Sequence, residues 1–120
     1  MSFQDELKQI CNEVPGCWAS VLMNLDGLVV HRHLAEDVGM DDEVLLVELT
    51  GSLKQALQAT TSAEGGELGE FSVSFDRGTV VARMLKDEHF VAALLGPGGL
   101  VGKGRYALRR HSLPLIQELF

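Results

Sequence analysis

The run with the most chemical potential is Gly96-Pro97-Gly98-Gly99-Leu100-Val101-Gly102-Lys103-Gly104. Glycine-rich backbone between a strand and a helix, ending in Gly-Lys, has the composition of a phosphate-binding loop. That loop needs a glycine five residues before the Gly-Lys glycine, and a Ser or Thr after the lysine to ligate magnesium. Pro97 and Gly104 occupy those positions, so the run reads as a flexible strand-to-helix connection. His31 and His33 share one face of a strand, where two imidazoles can chelate a transition metal. Zinc takes three or four ligands, and His89 and His111 are distant in sequence. The pair is therefore expected to face solvent or a covering helix. Cys11 and Cys17 lie in apolar contexts and read as buried free thiols. Ser20 falls in the same apolar strand as Cys17, and Asp26 is accounted for by a turn, so no nucleophile, base and orienting group come together. The sequence predicts no catalytic residue, no cofactor and no metal.

Two charged groups remain. Glu36, Asp37, Asp41, Asp42 and Glu43 are dense in acid and read as a solvated loop and helix cap, or as a steering surface for a basic partner. Lys103, Arg105, Arg109 and Arg110 form the basic cluster, with Arg105 and Arg109 one turn apart on a helix face. It reads as a solvated face, an anionic partner surface, or a site for the chain's own acidic segment.

The elements that position these residues follow from spacing. Phe3, Leu7, Ile10, Cys11 and Val14 form one helical stripe behind a Ser2 cap, ending near Asn12 or Glu13. Val14-Pro15-Gly16 stops that helix. Cys17 to Leu25 is almost continuously apolar, as in a strand covered on both faces. Asp26-Gly27 signals a hairpin, because both residue types tolerate positive φ, and Leu28 to His33 forms a more polar edge strand. After a loop from Leu34 to Met40, Asp41 or Asp42 caps a second helix, which Glu64-Gly65-Gly66 ends. Its apolar positions cover more than one stripe, so it is expected to be contacted on two sides. Phe71, Val73 and Phe75 alternate with Glu70, Ser72 and Ser74 in a half-buried strand. Thr79 to Lys86 and His89 to Leu95 complete five strands. A closing helix follows, which Pro114 is expected to kink or divide.

A chain of 120 residues suffices for one domain with one core. A net charge of -7 opposes non-specific nucleic-acid binding. No apolar run reaches the roughly 20 residues that span a bilayer, and the acidic N-terminal segment lacks a signal-peptide core. The expectation is a cytoplasmic protein with no nucleic-acid partner and no direct membrane insertion.

The order α-β-β-α-β-β-β-α, with Val14-Pro15-Gly16, Ala19-Ser20-Val21-Leu22, Asp26-Gly27-Leu28, Gly65-Gly66-Glu67-Leu68 and Gly102 to Arg109 at its junctions, resembles the roadblock/dynein-light-chain family, including its MglB-type members. The resemblance covers essentially the whole chain. It implies an α/β fold of the α+β type, with a five-stranded antiparallel sheet ordered 2-1-5-4-3 between helices. It also implies a homodimer joined through the third strand and paired second helices, which would use Leu49, Leu53, Ala56, Leu57, Phe71, Val73 and Phe75. The function implied is non-enzymatic: binding a small Ras-like GTPase and modulating its nucleotide cycle, with contacts at Asp41, Asp42, Val44, Leu45, Glu48 and Ser52. Stimulation of hydrolysis is expected to reorganise the partner's switch loops rather than supply an arginine finger, with Arg77 and Arg105 the residues to test for that second role. The alternatives are a scaffold subunit of a motility or trafficking complex and, more distantly, a small-molecule sensor, which needs a cavity with convergent polar groups.

Overall fold

The structure is a computed structural model describing residues 2–120. Its elements are α1 (Phe3–Glu13), β1 (Cys17–Asn24), β2 (Val29–Leu34), α2 (Asp42–Ser62), β3 (Glu70–Phe75), β4 (Gly78–Met84), β5 (His89–Leu95) and α3 (Val101–Leu119). The strands form one antiparallel sheet in the order β2-β1-β5-β4-β3. Both the element order and the strand order match the sequence expectation.

Each apolar strand is central because its side chains are apolar in both directions. Alternate residues of β1 and β5 feed two separate cores. Leu22, Val91, Ala93 and Leu95 meet Leu7, Ile10, Leu108 and Leu115 of α1 and α3. Val21, Met23, Phe90 and Leu94 meet Leu46 and Leu53 of α2. β2 alternates between half-buried and exposed positions along its length, and β3 does so through residues 71–74, as period-two polarity requires. No helix among the described residues is long and apolar enough to cross a membrane.

The caps explain where the helices start. Ser2 Oγ accepts from Asp5 N–H, and Asp41 Oδ1 accepts from Val44 N–H, both at 3.1 Å. Asp41, of the two candidates, is therefore the cap of α2.

Three local expectations are corrected. The β1–β2 turn does not place both Asp26 and Gly27 at positive φ; only Gly27 is there, at 87°. Asn24 organises the turn instead, its Oδ1 accepting from Asp26 N–H at 2.9 Å and Leu28 N–H at 3.1 Å. β4 stops at Met84 rather than Lys86, because Asp87 and Glu88 turn through left-handed backbone at φ 53° and 61°. Pro114 does not divide α3, which runs on to Leu119. The missing N–H costs one helical bond, while His111 and Leu115 on either side of it remain buried against the rest of the protein.

Candidate functional site

α2 meets the sheet along one narrow stripe, Asp42, Leu46, Thr50 and Leu53. Successive residues are about 100° apart around a helix, so the stripe divides the rest of α2 into two flanks and an outer ridge. Glu43, Val47 and Lys54 form the flank above β2. Glu43 Oε1 accepts from Arg32 at 3.0 Å, and Lys54 Nζ lies 3.6 Å from Asp26 Oδ1. Leu45, Leu49, Ser52 and Ala56 form the opposite flank, on the β3 side. Leu45, Leu49 and Ala56 are only half-buried. The outer ridge carries Val44, 58% exposed, and Glu48, also exposed.

β3 extends the Leu45–Ala56 flank. Phe71 and Val73 pair with Ala82 and Val80 on the α2 side of the sheet and are half-buried; Phe75 is exposed. Met84 N–H donates to Gly69 O at 2.9 Å. Antiparallel residues alternate between pointing at their partner strand and away from it. Phe71, Val73 and Phe75 therefore bond to β4, and the backbone groups of Glu70, Ser72 and Ser74 face outward. The result is a free strand edge with open donors and acceptors beside a half-covered apolar helix flank.

On the other face of β3, Glu70 gathers three arginines. Its Oε2 accepts from Arg105 at 2.8 and 3.0 Å, and its Oε1 accepts from Arg83 at 3.3 Å and Arg109 at 3.4 Å. The Arg105 hydrogen bond holds the Glu70 carboxyl below its usual value. Partial burial opposes that shift, and the charges of Arg105, Arg109 and Arg83 reinforce it. Arg110 donates to Glu13 at 2.9 Å. Most of the basic cluster is thus absorbed by the chain's own carboxylates, though not by the acidic segment before α2.

No protein-family model matches the sequence, and no curated protein matches it. Solved structures do. The roadblock/LC7 domain from Streptomyces avermitilis superposes with a TM-score of 0.83 at 18% identity, covering 99% of this chain and 98% of that one. The gliding protein MglB from Thermus thermophilus gives 0.82 at 14% identity, over 95% and 85%. MglC from Myxococcus xanthus gives 0.70 at 30% identity, over 98% of this chain and 99% of that one. The chain belongs to the roadblock family.

Within this roadblock domain the residues singled out from sequence separate into groups. Leu53 is 1% exposed and belongs to the core beneath α2, so it has no surface left for a second copy. Leu57 packs at the margin of the same core. Leu49, Ala56, Phe71, Val73 and Phe75 line the open flank and edge described above. Asp42 is 4% exposed and faces Arg32, whose Nε is 3.1 Å from its Oδ2. Burial therefore withdraws Asp42 from any partner-facing surface. Asp41, Val44 and Glu48 remain exposed, and Leu45 and Ser52 lie on the β3-side flank.

The groups with apparent chemistry are occupied by structure. His31 Nε2 donates to Gln4 Oε1 at 2.7 Å, and Gln4 Nε2 donates to His33 Nδ1 at 3.1 Å. The covering helix is therefore α1. Burial, then the charge of Lys8, keeps His33 below the usual imidazole value. Cys11 and Cys17 are buried free thiols with sulfurs 3.3 Å apart. The contact with Cys11 and burial push the Cys17 thiol up.

In the glycine run, Gly96 N–H donates to Gly16 O at 2.9 Å, Gly99 N–H to Gly96 O at 2.9 Å, and Leu100 N–H to Pro15 O at 3.2 Å. A Cβ on Gly16 would lie 2.5 Å from Gly99 Cα. These glycines let two turns touch, and the N–H groups of Gly96, Gly99 and Leu100 are spent on holding those turns. A shallow depression of about 870 Å³ lies beside Leu57, Leu68 and Met84. None of the residues lining it is fully buried, which does not fit an enclosed sensor cavity. Sequence reasoning missed Gln4, Asn24 and the role of Glu70. Polar residues at ordinary helix and strand positions carry no spacing signal.

Proposed function

We propose that this roadblock domain is a non-enzymatic homodimeric regulator that binds a small Ras-like GTPase and modulates its nucleotide cycle. The observation that carries the dimer is the continuous strip formed by the β3 edge and the Leu45, Leu49, Ser52 and Ala56 flank of α2. An unpaired edge invites pairing, and a two-fold contact satisfies both copies at once. Antiparallel pairing of β3 with its copy would set the two α2 helices side by side.

The GTPase reading rests on the family, with support from the outer ridge of α2. Asp41, Val44 and Glu48 offer acid and an apolar contact in one line, and two such ridges across a dimer axis suit an interface of standard size, roughly 1,600 Å² in total. The acids chiefly accelerate encounter with a basic partner. Both candidate finger arginines are engaged internally: Arg77 donates to Val38 O at 2.7 Å, and Arg105 is held by Glu70. Stimulation of hydrolysis would therefore act through the partner's own switch loops.

Two measurements test this reading. Ser72→Pro with Ser74→Pro removes outward-facing donors and leaves the β3–β4 ladder intact; sedimentation should show monomer. A folded double mutant that dimerises as tightly as the parent refutes this interface. Surface-plasmon binding to Ras-like GTPases encoded beside this gene should be stronger for the GTP-loaded state, and Glu48→Lys should slow association. Equal binding to both nucleotide states removes state sensing. Absence of binding to all of them leaves the scaffold role.

A further inference from the structure

β2 is the opposite edge of the sheet, and among the described residues no strand pairs with its outer side. Ala35 N–H donates to Trp18 O at 2.8 Å. By the antiparallel alternation, His31 and His33 bond toward β1, and the backbone groups of Arg32 and Leu34 point away from the sheet. This edge is also apolar. Leu28, Val30 and Leu34 are 64%, 37% and 45% exposed. β2 contains neither proline nor lysine, the residues that commonly blunt a free edge.

The Glu43 flank of α2 stands above this edge, leaving a groove of about 620 Å³ with Arg32 and Leu34 on one side and Val44 on the other. Asp37, Asp41, Asp42 and Glu43 ring it, against the single cation Arg32. Asp42 Oδ2 is buried and makes no hydrogen bond, although Arg32 Nε is at ion-pairing distance.

We propose that this groove takes an extended segment of a partner protein, added to β2 as a sixth strand and carrying apolar and basic side chains on one face. Main-chain hydrogen bonds to Arg32 and Leu34 give such a segment its register, and alternate side chains give it specificity. Apolar side chains seat against Leu34 and Val44. A guanidinium or ammonium between them meets the exposed acids of the rim, Asp37, Asp41 and Glu43. Pairing β2 with a second copy of β2 would bring two acidic rims together in a chain already at -7, so charge selects a basic partner over self-assembly. The surface lies on the flank of α2 opposite the one offered to a second copy. It goes beyond the GTPase reading and stands whether or not a GTPase binds.

The test uses the full chain and a fluorescent peptide, acetyl-Thr-Val-Thr-Arg-Thr-Val-Thr-Arg-Thr-amide. Anisotropy should show saturable binding that high salt weakens, with no binding of the version carrying Glu in place of Arg. Leu34→Pro deletes one outward donor without touching the β1–β2 ladder, a placement edge strands tolerate. Both Leu34→Pro and Glu43→Lys should weaken binding at least tenfold. Amide exchange at Arg32 and Leu34 should slow on binding. That protection, with Glu43→Lys, decides the matter if Leu34→Pro fails to fold. The proposal is overturned if the unmodified chain does not bind at millimolar peptide, if a folded Leu34→Pro binds undiminished, or if the substitution alters only self-association in sedimentation.

Discussion

One face of the sheet lies beneath two helices and the other beneath one, and the two coverings are built differently. Under α1 and α3, Leu7, Ile10, Leu108 and Leu115 have no exposed surface. The seam between those helices is crossed by His111, bonded to both Glu6 and Glu13, and by Arg110 bonded to Glu13. Under α2 the sheet is just as apolar, with Met23, Phe90 and Leu94 fully buried. Yet α2 reaches it through one stripe, leaving Val44 and Val47 exposed and Leu45 and Leu49 half-covered. The closed face concentrates the contacts that hold the fold. The open face keeps apolar side chains and strand edges within reach of other molecules.

The largest effect that tests this contrast is a core truncation. Leu108→Ala should cost about 2–5 kcal/mol in denaturant unfolding, whereas Val44→Ala should change stability by no more than about 0.5 kcal/mol. Similar losses at the two sites would break the comparison. Next is the cap of the open helix. Asp41→Ala should cost about 1 kcal/mol, and hydrogen exchange should speed up in α2 before it does in α1 or α3. Uniform acceleration would mean that α2 is no more separable than the other helices.

A smaller effect concerns Glu70, which ties β3 to the closed face. Its carboxyl is lowered in the folded state. The stabilisation is therefore present above the unfolded carboxylate value and is lost as pH falls through the lower, folded one. Glu70→Gln should flatten the acid limb of stability and leave the neutral-to-basic range nearly parallel to the parent. A steeper acid limb in the variant would reverse the assignment. The smallest expected effect is none. Fluorescent GTP and ATP analogues with magnesium should show no saturable binding, since Pro97 and Gly104 stand where a phosphate loop needs its first glycine and its magnesium-ligating hydroxyl. Binding lost in Lys103→Ala would show that the loop opens.

Which strands are central was legible because burial writes itself into composition, while the full strand order was implied by the family resemblance. Cys17 to Leu25 and His89 to Leu95 are apolar at nearly every position and could only be central, while the alternation at Phe71, Val73 and Phe75 marked an edge. The width of the apolar pattern on α2 was legible too, but not its division. Leu53 looks like Leu49 in sequence, and only the helical phase set by Leu46 against the sheet sends one inward and the other to the flank. Asp42 and Asp41 are adjacent acids, and one buries while the other caps. Glu70 could not be distinguished from a solvated strand residue, because its arginines come from Arg83, Arg105 and Arg109, brought together only by the folded chain.

The pairing of β1 with β5 sets the timing of assembly. Cys17 lies opposite Leu95, and Asn24 lies opposite His89; Glu6 finds His111 across 105 positions of sequence. During synthesis the first central strand must therefore leave the ribosome with one of its two neighbours still untranslated, its almost continuously apolar run covered by α1 on one face and paired along one edge with β2. Such non-local pairing is the slow kind, and the waiting strand is the kind that aggregates. The early hairpin and its Asn24 turn thus act as a holding structure, shielding one side of β1 until the last third of the chain arrives.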